Sequence, residues 1–352
     1  MLKQGVILLT VAAAACGSSA TGQPDAATGQ PDASTGQPDA SITPPSCMPA
    51  GAGRTDCGPN KESCCTSPAV PAGSYSRTFT NDGTGPTDED DPATVSGFRL
   101  DKYLVTVGRF RQFVAAWNGG AGYTPPAGSG KQTHLNGGQG LVDASGDSPV
   151  YEPGWKPSDD GEIALTDQNL VCDPSFATWT SAPGSQEGLP INCVNWYEAY
   201  AFCIWDGGFL PSEAEFEYAA AAGSEQREYP WGATDPGTAS HYAIFGCEHG
   251  GDGTDCTGLA NLAPVGSARM GAGRWGQLDL AGEVSEWNLD FHATFGNPCT
   301  DCASLGGGSG RVNRGGSYRS SASPYLQSSF RGDYLYATDR TSSFGFRCAR
   351  AP

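Results

Sequence analysis

Arg314-Gly315-Gly316-Ser317-Tyr318, Arg331-Gly332-Asp333 and Phe344-Gly345-Phe346-Arg347-Cys348 lie near the end of the chain and decide how the rest is read. Two glycines beside an arginine mark a tight backbone approach, and the alternation Phe344, Phe346, Cys348 predicts a half-buried strand ending on a cysteine. A strand so late needs an earlier partner. The stretch from Leu189 to Trp205, followed by Leu210 to Tyr218, is the candidate.

Composition bounds the class. The chain has 352 residues, 50 of them glycine and 26 proline, with 16% charged, which is too apolar and aromatic for overall disorder and too rich in turn formers to be mainly helical. One large loop-rich domain with a tail fits. The formal charge of −18 argues against a nucleic-acid partner, which needs a basic face, and otherwise speaks for solubility.

Residues 1–15 carry Lys3 and an apolar run from Val6 to Ala15, the pattern of a secretory signal too short for a permanent membrane span. Ala13-Ala14-Ala15-Cys16-Gly17 resembles a bacterial lipobox, with Cys16 as the lipid-modified residue; an ordinary signal peptide cut elsewhere is the alternative. Of the 13 cysteines, setting Cys16 aside leaves an even set suited to disulfides in an oxidising compartment. These features predict an exported lipoprotein of the cell envelope whose membrane partner is reached through the lipid.

Within residues 16–46, Thr-Gly-Gln-Pro-Asp-Ala recurs at Thr21, Thr28 and Thr35 with no apolar seam, so the repeat reads as a tether rather than a coiled coil. Its reach is about 90 Å fully extended and nearer about 30 Å as a flexible chain. Residues 47–69 form a cysteine-rich linker in which Cys47, Cys57, Cys64 and Cys65 are expected to pair among themselves; zinc is the sharper alternative, but no histidine lies nearby.

The folded domain is placed at residues 70–352. Val70 to Phe79 and Gly97 to Val105 read as strands, and Thr106 as the N-cap of a helix with Val107, Phe110, Val114 and Trp117 on one face. Residues 118–188 form a long polar insertion that Trp155 and Trp179 pack down. A second helix follows Asn195, with Trp196, Tyr200, Cys203 and Ile204 on one face, and a third opens at Ser212 with the capping box Ser212-x-x-Glu215. Glu213, Glu215 and Glu217 therefore suit the positive end of a helix dipole and are assigned no catalysis.

Taken in order, the C-terminal motifs, Leu189 to Tyr218, Tyr229-Pro230-Trp231-Gly232, Gly282-Glu283-Val284-Ser285-Glu286-Trp287 and Val95 to Thr106 resemble the formylglycine-generating enzyme family, the sulfatase-modifying-factor domain, from about Val70 to Arg350. The resemblance implies an α+β domain of the C-type-lectin-like kind, loop-rich and stapled by disulfides. It also implies a copper(I) oxidase that converts a substrate cysteine to formylglycine, with the ion held by two thiolates.

Here those two positions are Ser320 and Tyr325. A hydroxyl and a phenol are hard, weakly acidic ligands for a soft ion that selects thiolate, so copper is not expected and no catalytic residue is assigned. The resemblance further pairs Cys203 with Cys348 and places a second family disulfide near Ala220 and at Phe330, where neither end is a cysteine. It places calcium at Asp279, Gly282, Val284 and Glu286, the outer two through side chains and the middle two through carbonyls; capping or solvating a turn is the other reading of Asp279 and Glu286. The family's other calcium loop departs from pattern between His241 and Asn261, where Cys247 and Cys256 replace the ion by a disulfide and Asp252 and Asp255 remain as surface charge.

Other chemistries are weaker. None of His134, His241, His249 and His292 stands in triad or metal spacing, and Cys299-Thr300-Asp301-Cys302 reads as a small structural loop before a redox pair. The expectation is a binding module whose groove is lined by Arg314, Ser317, Tyr318, Arg319, Ser320, Tyr325 and Arg331 and takes a peptide or glycan. A divergent oxidoreductase on the same scaffold is the alternative.

Overall fold

In the computed structural model the described residues are 43–352, apart from 119–121, 145–148, 307 and 333. The signal segment, Cys16 and the repeat tether lie outside them. The first elements are strands β1 (Ala69–Val70), β2 (Gly73–Thr80), β3 (Thr87–Val95) and β4 (Phe98–Leu100) and helix α1 (Val107–Asn118). Strand β5 (Val142–Asp143) and helices α2 (Asp167–Leu170), α3 (Trp196–Trp205) and α4 (Glu213–Ala220) follow. Strands β6 (Ser285–Phe291), β7 (Cys299–Thr300), β8 (Cys302–Ala303), β9 (Arg311–Arg314), β10 (Phe344–Gly345) and β11 (Ala349–Arg350) complete the order. Among the described residues no helix is long and apolar enough to cross a membrane.

Short strands make small sheets, ordered β1-β4-β11, β10-β6-β9, β2-β3-β7 and β5-β8. The expected strand from Val70 to Phe79 is split at Pro71, which has no N–H for a ladder, and the expected strand from Gly97 to Val105 is ordered as a strand only over β4. The expected last strand is also two pieces. Strand β10 runs parallel to β6, while β11 pairs with β4; neither predicted partner stretch, 189–205 or 210–218, forms a strand pair with either piece, and the bridge of Phe209 to Ala349 falls between the two. Nor is this segment half-buried in the sense expected, because Arg347 is as buried as Phe346 and Cys348, its charge answered by Glu286.

The helices start where their caps stand. Thr106 Oγ1 accepts the Arg109 amide at 3.1 Å, Ser212 and Glu215 form the reciprocal box expected, and Asn195 with Glu198 forms a second. On α1, Val107, Phe110 and Phe113 are buried, and Phe110 stacks on Phe202 of α3. Trp155 and Trp179 do hold the long insertion down, each donating its indole N–H to a local aspartate, Asp160 and Asp167.

Residues 47–65 are part of the folded body rather than a linker. Cys47 pairs with Cys65 and Cys57 with Cys64, and the buried Arg109 guanidinium draws the segment in by donating to Ser46 Oγ and the Cys64 carbonyl. Its charge is balanced by Asp101 and Asp206 at 3.0 and 2.7 Å. At the other end Cys203 joins Cys348 across 145 residues, tying α3 to the C-terminal strands.

Candidate functional site: a cleft beside residues 319–323

The arginine-glycine-glycine stretch builds the interior behind the site. Gly315 and Gly316 have φ of 93° and 69°, and a Cβ on either would meet the carbonyls of Leu280 or Tyr325 at 2.8 and 2.6 Å, so only glycine fits. Arg314, 1% exposed, reaches under α4 and bonds Glu213 and Glu217 at 2.7 and 2.8 Å as well as the carbonyls of Ser329 and Phe330. Glu213 and Glu217 are therefore ion-pair partners in the core, and only Glu215 serves the cap.

This placement corrects the expected groove. Arg314, Ser317 and Tyr318 are buried, with Tyr318 stacked on Phe176 and its hydroxyl bonded to Arg319 Nε, so none of the three can meet a ligand. Arg331 is held by Glu213 and the Ala293 carbonyl. Arg319 and Tyr325 are exposed, and Ser320 and Arg331 are half-buried. For the two arginines the reason is electrostatic: α4 carries three buried carboxylates, and Arg314 and Arg331 are spent on two of them, Glu213 and Glu217.

The two positions that hold copper thiolates in the family are occupied by other chemistry. Ser320 closes a turn, its Oγ accepting the Ser317 amide at 3.0 Å and its own amide donating to the Ser317 carbonyl at 2.9 Å. Tyr325, 42% exposed, lies edge-on to Phe330 at 5.2 Å. All twelve cysteines of the described residues are paired in six disulfides, so no thiolate among them is free to converge on this point. The residues present do not fit copper(I). Where the second family disulfide is missing, Ser328 Oγ instead donates to the Ala220 carbonyl at 3.1 Å, two residues from Phe330.

Beside Ser320 opens a cleft of about 730 Å³. One wall is Arg319 and Ser321–Ser323, another is the loop closed by Cys247 and Cys256, and the third runs from Asp235 to Thr238, with Phe245 at the base. The first two walls are joined by backbone bonds from Gly246 to Ser320 and from Cys247 to Tyr318, both 2.9 Å. Carboxylates of Asp235, Glu248 and Asp255 line the cleft, and no ion pair engages them among the described residues. Arg319 is balanced elsewhere, by Asp173 at 3.3 Å and by the Phe176 ring 4.1 Å away.

The sequence reading found the Cys247–Cys256 pair but took Asp255 for plain surface charge and passed over Asp235 and Glu248. Only the closure of the loop against residues 319–323 brings Glu248 and Asp255 to the same cleft as Asp235. Asp252 stays on the surface and caps Thr254.

The turn expected to hold calcium is more crowded than the sequence suggested. Both Glu286 oxygens are taken by Arg347, from Nε at 2.7 Å and Nη2 at 2.8 Å, and Nη2 also reaches the Asp279 carbonyl at 2.9 Å. The Asp279 carboxylate accepts the Gly266 amide, and Glu283, which the sequence reading did not single out, accepts the Ala263 amide. Burial pushes Asp279 up to about 6, and burial with the neighbouring Asp279 charge pushes Glu283 well above the usual carboxylate range. Asp279 and Glu283 thus form a buried acidic pair with no ion-pair partner among the described residues. Among those residues there is no group of three or more His, Cys, Asp or Glu side chains placed to hold a metal ion.

The remaining candidates are structural. Cys299 and Cys302 are bonded and buried, clamping β7 to β8, and Asp301 between them anchors Ser96. His134 stacks on Phe209 and His292 packs against Tyr334.

Fold and site together define a disulfide-stapled, loop-rich α+β domain of the C-type-lectin-like kind with an open polar cleft. The chain belongs to the formylglycine-generating enzyme family, matching the sulfatase-modifying factor enzyme 1-like domain over residues 54–352. It is 31% identical over 273 residues to the formylglycine-generating enzyme of Streptomyces coelicolor, covering 72% of this chain and 77% of that one. It is 29% identical over 229 residues to the mouse protein described as inactive C-alpha-formylglycine-generating enzyme 2, covering 61% and 64%. The solved structure of PvdO from Pseudomonas aeruginosa is similar in fold, with a TM-score of 0.52 at 22% identity over 81% of this chain and 93% of that one.

Proposed function

We propose that this chain is an exported, lipid-anchored binding module in which a formylglycine-generating-enzyme scaffold has given up the copper reaction and uses the cleft beside residues 319–323 to hold a peptide segment. The observation that carries the reading is the pair Ser320 and Tyr325: one hydroxyl locked in a turn and one phenol packed on Phe330, where the family's chemistry needs two soft thiolates. The three carboxylates of the cleft favour a segment bearing basic side chains. A relative described as inactive is consistent with members of this family that have left catalysis behind.

The test is direct. Purified protein loaded with copper(I) and supplied with oxygen and a sulfatase-type cysteine peptide is expected to give no aldehyde by mass spectrometry. Stoichiometric formylglycine would replace the binding reading with a divergent oxidoreductase. The anchor has its own test, in which fatty-acid labelling in a bacterial host is expected to disappear with Cys16→Ser, and labelling that survives this change would remove the lipid from the proposal.

Calcium at the turn of Asp279 is proposed separately. The buried Asp279–Glu283 pair is the feature that suits a cation, and an ion there would draw on Asp279 and the carbonyls of Gly282 and Val284. Glu286, committed to Arg347, is dropped from the expected set.

A further inference from the structure

The six disulfides differ in what protects them. Cys47, Cys65, Cys57, Cys64, Cys203, Cys348, Cys299 and Cys302 are all buried, leaving two pairs that solvent reaches, Cys172–Cys193 through an exposed Cys172 and Cys247–Cys256 through a half-buried Cys256, so access alone does not separate them. They are held differently. Cys193 donates its amide to the Thr341 carbonyl and accepts Arg340 on its own carbonyl, so the backbone there stays fixed whatever the state of the sulfur.

The loop between Cys247 and Cys256 has no such support at its far end. Asn261 grips the carbonyls of Cys247 and His249, but among the described residues the 252–256 arm makes its hydrogen bonds only within itself, from Thr254 to Asp252. Gly250, Gly251 and Gly253 add backbone freedom to that loop, and it buries no large apolar side chain between the cysteines. It nevertheless supplies Glu248, Gly253, Thr254 and Asp255 to the cleft. The Cys247 end of this wall is thus fixed by backbone bonds and Asn261, while the 252–256 arm is tied back by the disulfide.

We propose that Cys247–Cys256 is a redox-sensitive latch on the cleft. Attack by a dithiol breaks the sulfur–sulfur bond, the dithiol leaves as its own disulfide, and Cys247 and Cys256 each keep one of its two protons as thiols. The freed 252–256 arm swings out and the cleft loses the part of its wall made by Gly253, Thr254 and Asp255, while the five other disulfides and the core stay in place. The bond closes a loop of sequence separation 9 against 145 for Cys203–Cys348, so its loss removes little constraint on the rest of the chain. This inference rests on the cleft's construction and not on what the cleft binds.

The experiment is a timed reduction of the native chain with dithiothreitol, quenched by alkylation and read by peptide mass spectrometry, with circular dichroism and limited Glu-C proteolysis in parallel. Cys247 and Cys256 are expected to label about tenfold faster than any other pair, with the circular dichroism unchanged and cleavage after Glu248 appearing at the same rate. The double variant Cys247→Ser/Cys256→Ser is expected to fold and to be cleaved at Glu248 without reductant. Earlier labelling of Cys172 and Cys193, labelling that comes only with loss of fold, reduction without new cleavage, or a double variant that does not fold would each overturn the proposal.

Discussion

Replacing Arg314 by methionine tests whether the arginine of the deciding stretch belongs to the core or to a ligand. The guanidinium is 1% exposed and bonds Glu213 and Glu217 at 2.7 and 2.8 Å, together with two backbone carbonyls. Glu213 retains Arg331 after the change, but Glu217 has no second ion pair, and its other oxygen already has no partner among the described residues. Leaving one buried carboxylate unpaired costs about 3–5 kcal/mol, which for a domain of this length is roughly 6–10 °C in melting temperature. Adding Glu217→Gln removes the orphaned charge and is expected to restore about half of the loss. Urea unfolding followed by near-ultraviolet circular dichroism reads both variants. As a control, Arg319→Ala, whose pair with Asp173 is half-exposed, is expected to change stability by no more than about 1 kcal/mol. If Arg314→Met unfolds within about 1 kcal/mol of the parent, the core assignment is wrong and Arg314 returns to the groove.

Two further outcomes follow from buried charge. Burial pushes Glu152, Glu215 and Asp290 up to about 7, and no salt bridge with lysine or arginine engages them among the described residues, so the folded state holds protons that the unfolded state gives up between about pH 4 and 7. Their stabilising contribution is therefore complete in acid and lost as pH rises through 7, and stability at pH 5.5 is expected to exceed that at pH 8 by about 2–4 kcal/mol; a flat or opposite profile in thermal melts would contradict the assignment. At the Asp279 turn, calcium in hundredfold excess over its dissociation constant is expected to add about 2.7 kcal/mol, reversed by chelator and absent in Asp279→Asn. A melting temperature indifferent to calcium and chelator would leave the acidic pair to its protons alone.

Periodicity and capping chemistry made much of the framework legible before any coordinates. Thr106 and Ser212 announced their helices because a cap is a local bond between neighbours in sequence, and the even cysteine set after Cys16 matches six disulfides because pairing needs only partners in number. The missing thiolates at 320 and 325 were equally plain, since which atoms a side chain offers is fixed by its identity. What neighbours in space do with those atoms was not. Arg314 and Tyr318 looked like groove residues until α4 and Phe176 closed over them, and Arg347 was hidden in an alternating strand pattern until it met Glu286 from 61 residues away. Asp235, Glu248 and Asp255 acquired a common cleft only when a disulfide loop folded against residues 319–323. Sequence alone settled the chemical inventory and the local starts and stops, because those depend on short-range geometry; burial and the pairing of charge depend on which distant segments share the same low-dielectric space, and that only the tertiary fold decides.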